Sequence, residues 1–539
     1  MYSERLRIAI LLPAPIVPAW VHRVILDVAT GDAATLALVV LDASPEARTR
    51  FRLSGAAFRA YEALDWRFFR FPGDHAAPVD ASALLEGVPT LRARPVRSAA
   101  GATLSAADVE AIRRHRPDVL LSLGYPLLEG EALGVAPLGL WCFDHLTGDD
   151  RVPPLAWEML RGAPTTATSL RAVTPEGTRV LQRSFATTDR NSLHRSRNAA
   201  IWKSAGFVAR ALRAAAAGRG GADETLPAPP FEAPDRAPNA FELARFAGGV
   251  VARVLRHRRQ RQRADYLWFV ALRRSRGSFV DGPLEGFRPV PMPPGHFYAD
   301  PFLAEDGGKS WLFFEDADTA SGKGLLRCAE VLADGSLGES RVVLDCEYHL
   351  SYPFVFRQGG QWYMLPETSE NRTLELWRAT SFPWRWELEK VLMRDIVVVD
   401  PTLLEHGGRL WLFANQSETG GAAHDELFLF HAASLHDEWQ PHPLNPIVSD
   451  LRRARPAGAL FVEDGRLYRP AQDCSGEYGS AIWLHRVDVL DERSYRETPV
   501  RHIDASWHPG ATGTHTLSRG GGFDAIDAKM WVPRAETVG

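Results

Sequence analysis

The sequence predicts a two-part chain: an N-terminal α/β domain with a mostly parallel sheet, then an all-β five-bladed propeller. Three observations carry that expectation. The 539 residues exceed what one hydrophobic core holds, about 250 to 300 residues. Residues 1–213 alternate short apolar runs with helical segments, the pattern of a sheet covered on both faces. In the second half one motif recurs, with prolines at 301, 353, 401, 456 and 509 separated by 52, 48, 55 and 53 residues.

In the first part, strands are expected at Arg7–Leu12, Thr35–Leu41, Asp118–Leu123, Gly139–Phe143, Thr166–Val173 and Arg179–Ser184. Helices are expected near Ala106–Arg116, Pro154–Arg161 and Ser192–Ala217. The turn after the first strand, Leu12-Pro13-Ala14-Pro15, lacks the glycines that let backbone approach a pyrophosphate, which argues against a dinucleotide site. Residues 214–240, rich in Ala, Gly and Pro, read as a connector, and 241–263 as a helix crowded with Arg253, Arg256, Arg258, Arg259, Arg261 and Arg263. That helix reads as a solvated face, with peripheral contact to anionic lipid as the alternative.

The propeller is expected over 264–539. Its units open Asp300-Pro301-Phe302-Leu303, Tyr352-Pro353-Phe354-Val355, Asp400-Pro401-Thr402-Leu403, Arg455-Pro456-Ala457-Gly458 and, in degenerate form, His508-Pro509. The first four continue through a Gly-containing turn (Gly307-Gly308, Gly359-Gly360, Gly407-Gly408, Asp464-Gly465) into an aromatic strand. Each unit has room for four strands, one blade. A lone strand at 266–272, ahead of the first repeat, is expected to close the ring by pairing with the last blade.

Innermost strands line a propeller's central channel, so Asp300, Tyr352, Asp400, Arg455 and His508 are expected to approach one funnel. A second polar series, Glu315, Glu367, Asn415 and Gln472, stands at matching places in the following strands. Leaving such groups buried and unpaired costs about 1 to 3 kcal/mol each, so their gathering suggests a polar ligand or ordered water. Two aspartates and a glutamate around one pocket suit a glycosidic centre, one carboxylate serving as base or nucleophile and one, protonated, as acid. Arg455 and His508 would make one side cationic, fit for a phosphate, a uronate or a nucleotide-sugar diphosphate, unless Arg455 pairs with Asp400 or Asp473. Trp362, Trp411 and Tyr468 read as core packing ahead of sugar stacking.

On these motifs, Phe297–Trp531 resembles the propeller of glycoside hydrolase family 43, and more closely the propeller region associated with glucosamine inositolphosphorylceramide transferases. The resemblance implies a general base at Asp300, in Ala299-Asp300-Pro301-Phe302, and a pKa-modulating aspartate at Asp400. Where family 43 has its general-acid glutamate, this sequence has Arg455, which leaves Glu367 as the candidate proton donor. The N-terminal part resembles a formyltransferase domain of the methionyl-tRNA formyltransferase type through Arg116–Tyr125, Phe143-Asp144-His145, Pro154–Glu158 and Thr165–Leu170. His145 matches that family's histidine, Phe143 stands in place of its asparagine, and Pro175-Glu176-Gly177 replaces its Asp-x-Gly. His145, with Asp144, Asp149 and Asp150 nearby, reads either as a binding site or as an acidic surface loop.

Composition narrows the classes. With 45% hydrophobic and 24% charged residues the chain is not globally disordered, and a formal charge of −4 offers no field for nucleic acid. Cys142, Cys328, Cys346 and Cys474 are scattered and read as reduced thiols. No paired Cys/His metal motif, Walker loop or nucleophile elbow occurs. The stretch Ile8–Val28, broken by three prolines and carrying Arg23 and Asp27, suits neither a signal peptide nor a membrane span, so a cytoplasmic protein is expected.

The leading expectation is a carbohydrate-active enzyme transferring a glycosyl group in glycan or glycolipid assembly. No cofactor is fixed by the sequence and a nucleotide-sugar donor is the one candidate, Asp300, Asp400 and Glu367 are the expected catalytic set, and Tyr352, Arg455, Gln472, Asp473, His508 and Glu315 are expected to bind substrate. A glycoside hydrolase, a non-catalytic glycan-binding module and a sugar N-formyltransferase with an appended propeller stay open as alternatives.

Overall fold

The computed structural model describes residues 5–44, 56–70, 73–98, 101–146, 154–219, 234, 236–416 and 425–534. Most of the expected connector, and Asp149 and Asp150, lie outside these residues. The chain divides into two compact units, with the change at Val251/Ala252 inside one continuous helix, Ala240–Arg263.

The N-terminal unit is built on a seven-stranded sheet. Leu6–Leu12, Ala34–Asp42, Thr90–Ala93, Val119–Ser122 and Leu140–Phe143 run parallel, and Thr165–Thr174 and Gly177–Thr187 extend the sheet antiparallel at one edge. The central strand, with Ile8 through Leu12 at 0% exposure, is apolar on both faces because helices cover both. Sequence reading overlooked two helices, Ala19–Thr30 and Ala56–Phe69. The first begins directly after Pro18, where a proline is compatible with a helix start and the prolines before it had suggested only a broken run. The expected helix 192–217 is two helices, Leu193–Ser204 and Phe207–Ala216.

The C-terminal unit is the five-bladed propeller, one sheet per blade. Blades one and two have four strands each: His296–Asp306, Lys309–Asp318, Gly324–Val331 and Arg341–Leu344, then Ser351–Gln358, Gln361–Glu367, Thr373–Ser381 and Arg385–Arg394. Blade three holds Val398–His406, Arg409–Gln416, Leu427–Ala432 and Gln440–Pro441, and blade four Phe461–Glu463, Arg466–Asp473, Ala481–Leu490 and Tyr495–Ile503.

The fifth blade joins the two ends of the propeller. Ala264–Arg274 pairs antiparallel with Phe523–Pro533 along its whole length, Ala264 opposite Pro533 and Arg274 opposite Phe523. The short strands Ala511–Gly513, Leu517–Gly520 and Arg288–Pro289 complete it. The expected closing strand is therefore in place, and it covers one edge of Phe523–Pro533 along its whole length.

The repeated aromatic strand follows from blades stacking face to face. In Trp311-Leu312-Phe313-Phe314, Trp311 and Phe313 join a core with Leu350, Tyr352 and Phe354 of blade two. Leu312 and Phe314 point the other way, into a core with Val270, Leu272 and Ala525 of blade five. Both faces are buried, so the strand is apolar throughout instead of alternating. Trp411 and Tyr468, 3% and 5% exposed, are likewise core residues, and Trp362 stacks on Phe382 at 4.3 Å. The glycine pairs turn the first strand into the second with both residues left-handed, as at Gly307 and Gly308 (φ 58° and 77°), the conformation of two-residue hairpin turns.

Candidate functional site

The residue before the repeated proline is left-handed in three blades: Asp300 (φ 51°), Tyr352 (φ 45°) and Asp400 (φ 50°). The strand register slips at each of these points, between Ala299 and Phe302, Ser351 and Phe354, and Val399 and Thr402. Such a conformation costs a non-glycine residue about 1 to 3 kcal/mol and persists only where surroundings fix it. Here the fixing is reciprocal around the propeller axis, since each left-handed N–H donates to a carboxylate of the preceding blade. Asp300 donates to Asp527 Oδ2 (3.1 Å), Tyr352 to Asp300 Oδ2 (3.3 Å) and Asp400 to Glu367 Oε2 (3.4 Å).

Asp300 and Asp400 sit in different surroundings. Thr516 Oγ1 donates to Asp300 Oδ1 at 2.6 Å, and His515 Nε2 lies 3.8 Å from the same oxygen. Burial, opposed by His515 and reinforced by Asp400 and Asp527, pushes the Asp300 carboxyl up to about 6. Asp400 receives Arg455 Nε (2.5 Å) and Nη2 (3.2 Å) and the Gln472 amide (2.8 Å). Burial nevertheless outweighs Arg455, and with Glu367 alongside pushes Asp400 up to about 7. Glu315, buried and facing Asp300 and Glu367, is raised well above the ordinary glutamate range by burial and those charges. His349 Nε2, partly open to solvent, stands 3.5 Å from Glu315 Oε1.

Of the sequence-predicted residues, Asp300, Glu315, Glu367, Asp400, Arg455 and Gln472 come together. Arg455 is engaged by Asp400, lies 3.5 Å from Glu367 Oε2 and sits over the Tyr478 ring at 4.7 Å. Glu367 faces donors: Ser369 Oγ at 2.7 Å, the Asp400 N–H and Arg455. Tyr352 turns into the core, its ring against Phe302 and its hydroxyl bridging Thr402 Oγ1 and the Gly458 N–H. Asp473 caps a turn by accepting the Ser475 N–H at 2.8 Å. Asn415 is fully buried, and neither of its amide atoms has a hydrogen-bond partner among the described residues.

The fifth blade departs from the expectation. His508 packs against Phe269 and Trp507 and makes no contact with Asp300 among the described residues. The reason is register: Gly521-Gly522 is the turn, with Gly520 opposite Phe523 as Asp306 is opposite Lys309. Counting from it puts Thr514 where blade one has Asp300 and Lys529 where it has Glu315. His508-Pro509 lies ahead of that strand. The residues that reach Asp300 are His515, Thr516 and Asp527, none of which sequence reading found. The Gly-Gly turn was the signal that would have located them.

His515 is held as an ion-pair bridge. Its Nδ1 lies 2.6 Å from Asp527 Oδ2 and its ring stacks on Trp268 at 3.8 Å. Burial opposes its charge, but Asp527 and Asp300 outweigh burial and raise its pKa. Asp300, His515 and Asp527 bring ligand atoms within 4.8 Å of one another, the one such set found among the described residues that could hold a metal ion. A metal-bound histidine would have to give up its proton, which the neighbouring Asp527 and Asp300 oppose.

In the N-terminal unit His145 is enclosed. Its side chain is 1% exposed, with Trp20 and Phe143 rings at 5.2 and 5.3 Å and Asp144 Oδ1 3.6 Å away. Neither ring nitrogen has a hydrogen-bond partner among the described residues. Asp144 is disfavoured as an anion by burial, yet His145 and Arg171 hold its pKa below the usual range.

Fold and site together define a five-bladed propeller with a buried cluster of carboxyl groups contributed by several blades. Residues 291–512 match the family model described as glucosamine inositolphosphorylceramide transferase 1, N-terminal. Proteins named glucosamine inositolphosphorylceramide transferase 1 from Oryza sativa subsp. japonica and Arabidopsis thaliana are 40% and 38% identical to the chain over 211 residues. That region is 38% of this chain and 28% of each relative, so the chain spans little more than a quarter of their length. Among solved structures, a family 117 glycoside hydrolase of Zobellia galactanivorans aligns over 50% of this chain and 91% of its own (TM-score 0.33, 11% identity). An α-L-arabinofuranosidase of Podospora anserina aligns over 46% and 95% (TM-score 0.33, 12% identity).

Proposed function

We propose that the propeller is a carbohydrate-active module acting at a glycosidic centre, with its site on the funnel floor around Asp300, Glu315, Glu367 and Asp400. One observation carries this reading: carboxyl groups gathered in one buried site are held at different protonation levels by different neighbours. Asp300, which faces Thr516 and His515 and has no arginine partner such as engages Asp400, is the one to act as base or nucleophile. Glu315 is the better proton donor than Glu367, because Glu367 is ringed by donors and suits an acceptor, whereas burial among carboxylates keeps the Glu315 proton in place.

Arg455 is spent on Asp400 and Glu367, which speaks against its binding the diphosphate of a nucleotide-sugar donor and favours chemistry on a preformed glycoside, by hydrolysis or by transfer to an acceptor sugar. The name of the plant relatives supports a carbohydrate or glycolipid substrate; the transfer that it describes belongs to proteins of which this chain matches about a quarter. For the N-terminal unit, the enclosed His145 ring offers no support to formyl transfer.

The test is a panel of oligosaccharides and glycolipids incubated with the full chain, with products read by mass spectrometry and binding by thermal shift. Asp300→Asn, its folding verified by circular dichroism, tolerates the left-handed conformation and is expected to bind like the parent while losing turnover. A glycan that stabilises both proteins equally and is never converted would instead favour a binding module, the reading that Arg455 in the acid's expected position supports. Turnover unaffected by Asp300→Asn would remove the funnel from consideration.

A further inference from the structure

The helix Ala240–Arg263 leads directly into the closing strand. Its last eleven residues hold six arginines and no acidic residue, in a chain whose formal charge is −4. Its one carboxylate, Glu242, is bound at the other end by Arg236 at 2.7 and 2.8 Å. At the arginine-rich end the His257 ring meets Trp531 of the last strand at 5.7 Å. Val251, Val254 and Leu255 are 57%, 40% and 48% exposed, and their i, i+3, i+4 spacing puts them on one stripe at about 100° per residue. Arg258 continues that stripe, and Arg259 and Arg261, both exposed, flank it on either side.

We infer that this helix docks the protein on an anionic bilayer surface. Exposed aliphatic side chains bordered by arginines match what an interface demands: apolar groups seated at the headgroup level, with long cationic side chains reaching up to lipid phosphates and carboxylates. Nucleic acid, the other polyanion such a helix meets, has no use for an aliphatic stripe. Docking would bring the propeller to where glycolipid headgroups lie, but the inference does not depend on any activity of the funnel.

Vesicle co-sedimentation of the full chain tests it, using phosphatidylcholine alone and phosphatidylcholine mixed with phosphatidylserine, with circular dichroism to verify that each variant is folded. The parent is expected to sediment with the anionic vesicles, to release on added salt and to leave the neutral ones. Combined Arg258→Gln, Arg259→Gln and Arg261→Gln is expected to weaken partitioning by about a hundredfold, at about fivefold per arginine. Combined Val254→Ser and Leu255→Ser, which keeps every charge, is expected to weaken it by about tenfold. Failure of the parent to bind anionic vesicles overturns the inference, as does binding indifferent to both variants. So does binding of duplex RNA, run in parallel, that survives the serine pair while vesicle binding is absent.

Discussion

Arg455→Met keeps most of the side-chain volume and deletes the guanidinium that meets both Asp400 oxygens. In the unfolded chain Asp400 ionises near the ordinary aspartate value of about 4; in the fold it does so at about 7. Between those values the folded state holds a proton that the unfolded chain has released. Stability therefore falls as pH rises through the interval, by about 1.4 kcal/mol per pH unit, and levels off once Asp400 ionises in the fold. Without Arg455 an anion at this buried position has lost its charge partner, so ionisation is deferred and the variant keeps losing stability above pH 7 at the same slope. At about pH 5 the Asp400 carboxyl is protonated in both folded proteins, and the variant is weaker by the lost Arg455 hydrogen bonds and its contact with Glu367, about 1 to 3 kcal/mol. At about pH 9 the deficit is larger by about 3 kcal/mol. Urea unfolding followed by tryptophan fluorescence at the two pH values measures it. A deficit that stays constant or shrinks with rising pH refutes the assignment of Arg455 as the group that makes Asp400 ionisable.

Glu497, 3% exposed by side chain, accepts from Arg469 Nε and Nη2 at 2.8 Å; burial opposes its charge, but Arg469 and His485 hold it far below the usual carboxylate range. Its stabilisation is present above the ordinary glutamate pKa and lost as pH falls through the depressed value, so Glu497→Gln should cost about 3 to 5 kcal/mol at neutral pH, and less in acid, by urea unfolding. Gly458 has φ 120°, and a Cβ there would lie 2.0 Å from the Leu517 carbonyl oxygen, whereas one at Gly307 meets nothing. Gly458→Ala should therefore cost more than about 3 kcal/mol and Gly307→Ala about 1 to 2; equal melting temperatures would contradict this. A fragment starting at Phe287 lacks the strand paired with Phe523–Pro533 and should aggregate or melt without cooperativity, while one starting at Ala240 folds; gel filtration and calorimetry compare them.

The propeller was legible because its punctuation is local: a glycine turn forces a left-handed pair, and face-to-face blades force continuous apolar strands, so both leave marks at a fixed period. The acids at 300, 315, 367 and 400 were legible for the same reason, as variations on a repeat. His515, Asp527 and Lys529 were not, because in the fifth blade the proline marker is displaced from the strand it was expected to open, and only the Gly521-Gly522 turn keeps register. Nor could spacing reveal that Tyr352, equivalent in position to Asp300 and Asp400, sends its side chain into the core, since the repeat fixes backbone and not the choice of rotamer. The helix after Pro18 was hidden by reading proline as a breaker where it serves as an N-terminal boundary.

The closing strand also sets an order of events. Its partner lies at the far end of the propeller sequence, so a ribosome must emit the chain through Pro533 before the fifth blade can form, and loop closure of that span is among the slowest contacts to make. The groups that govern Asp300, namely His515, Thr516 and Asp527, belong to that last-formed blade. A nascent or nicked propeller with four blades stacked would thus carry the acids of blades one to three without the bridge that sets the first of them. The surroundings of Asp300 are therefore incomplete until the ring is shut, which makes circular closure a condition for the proposed site as well as a lock on the fold.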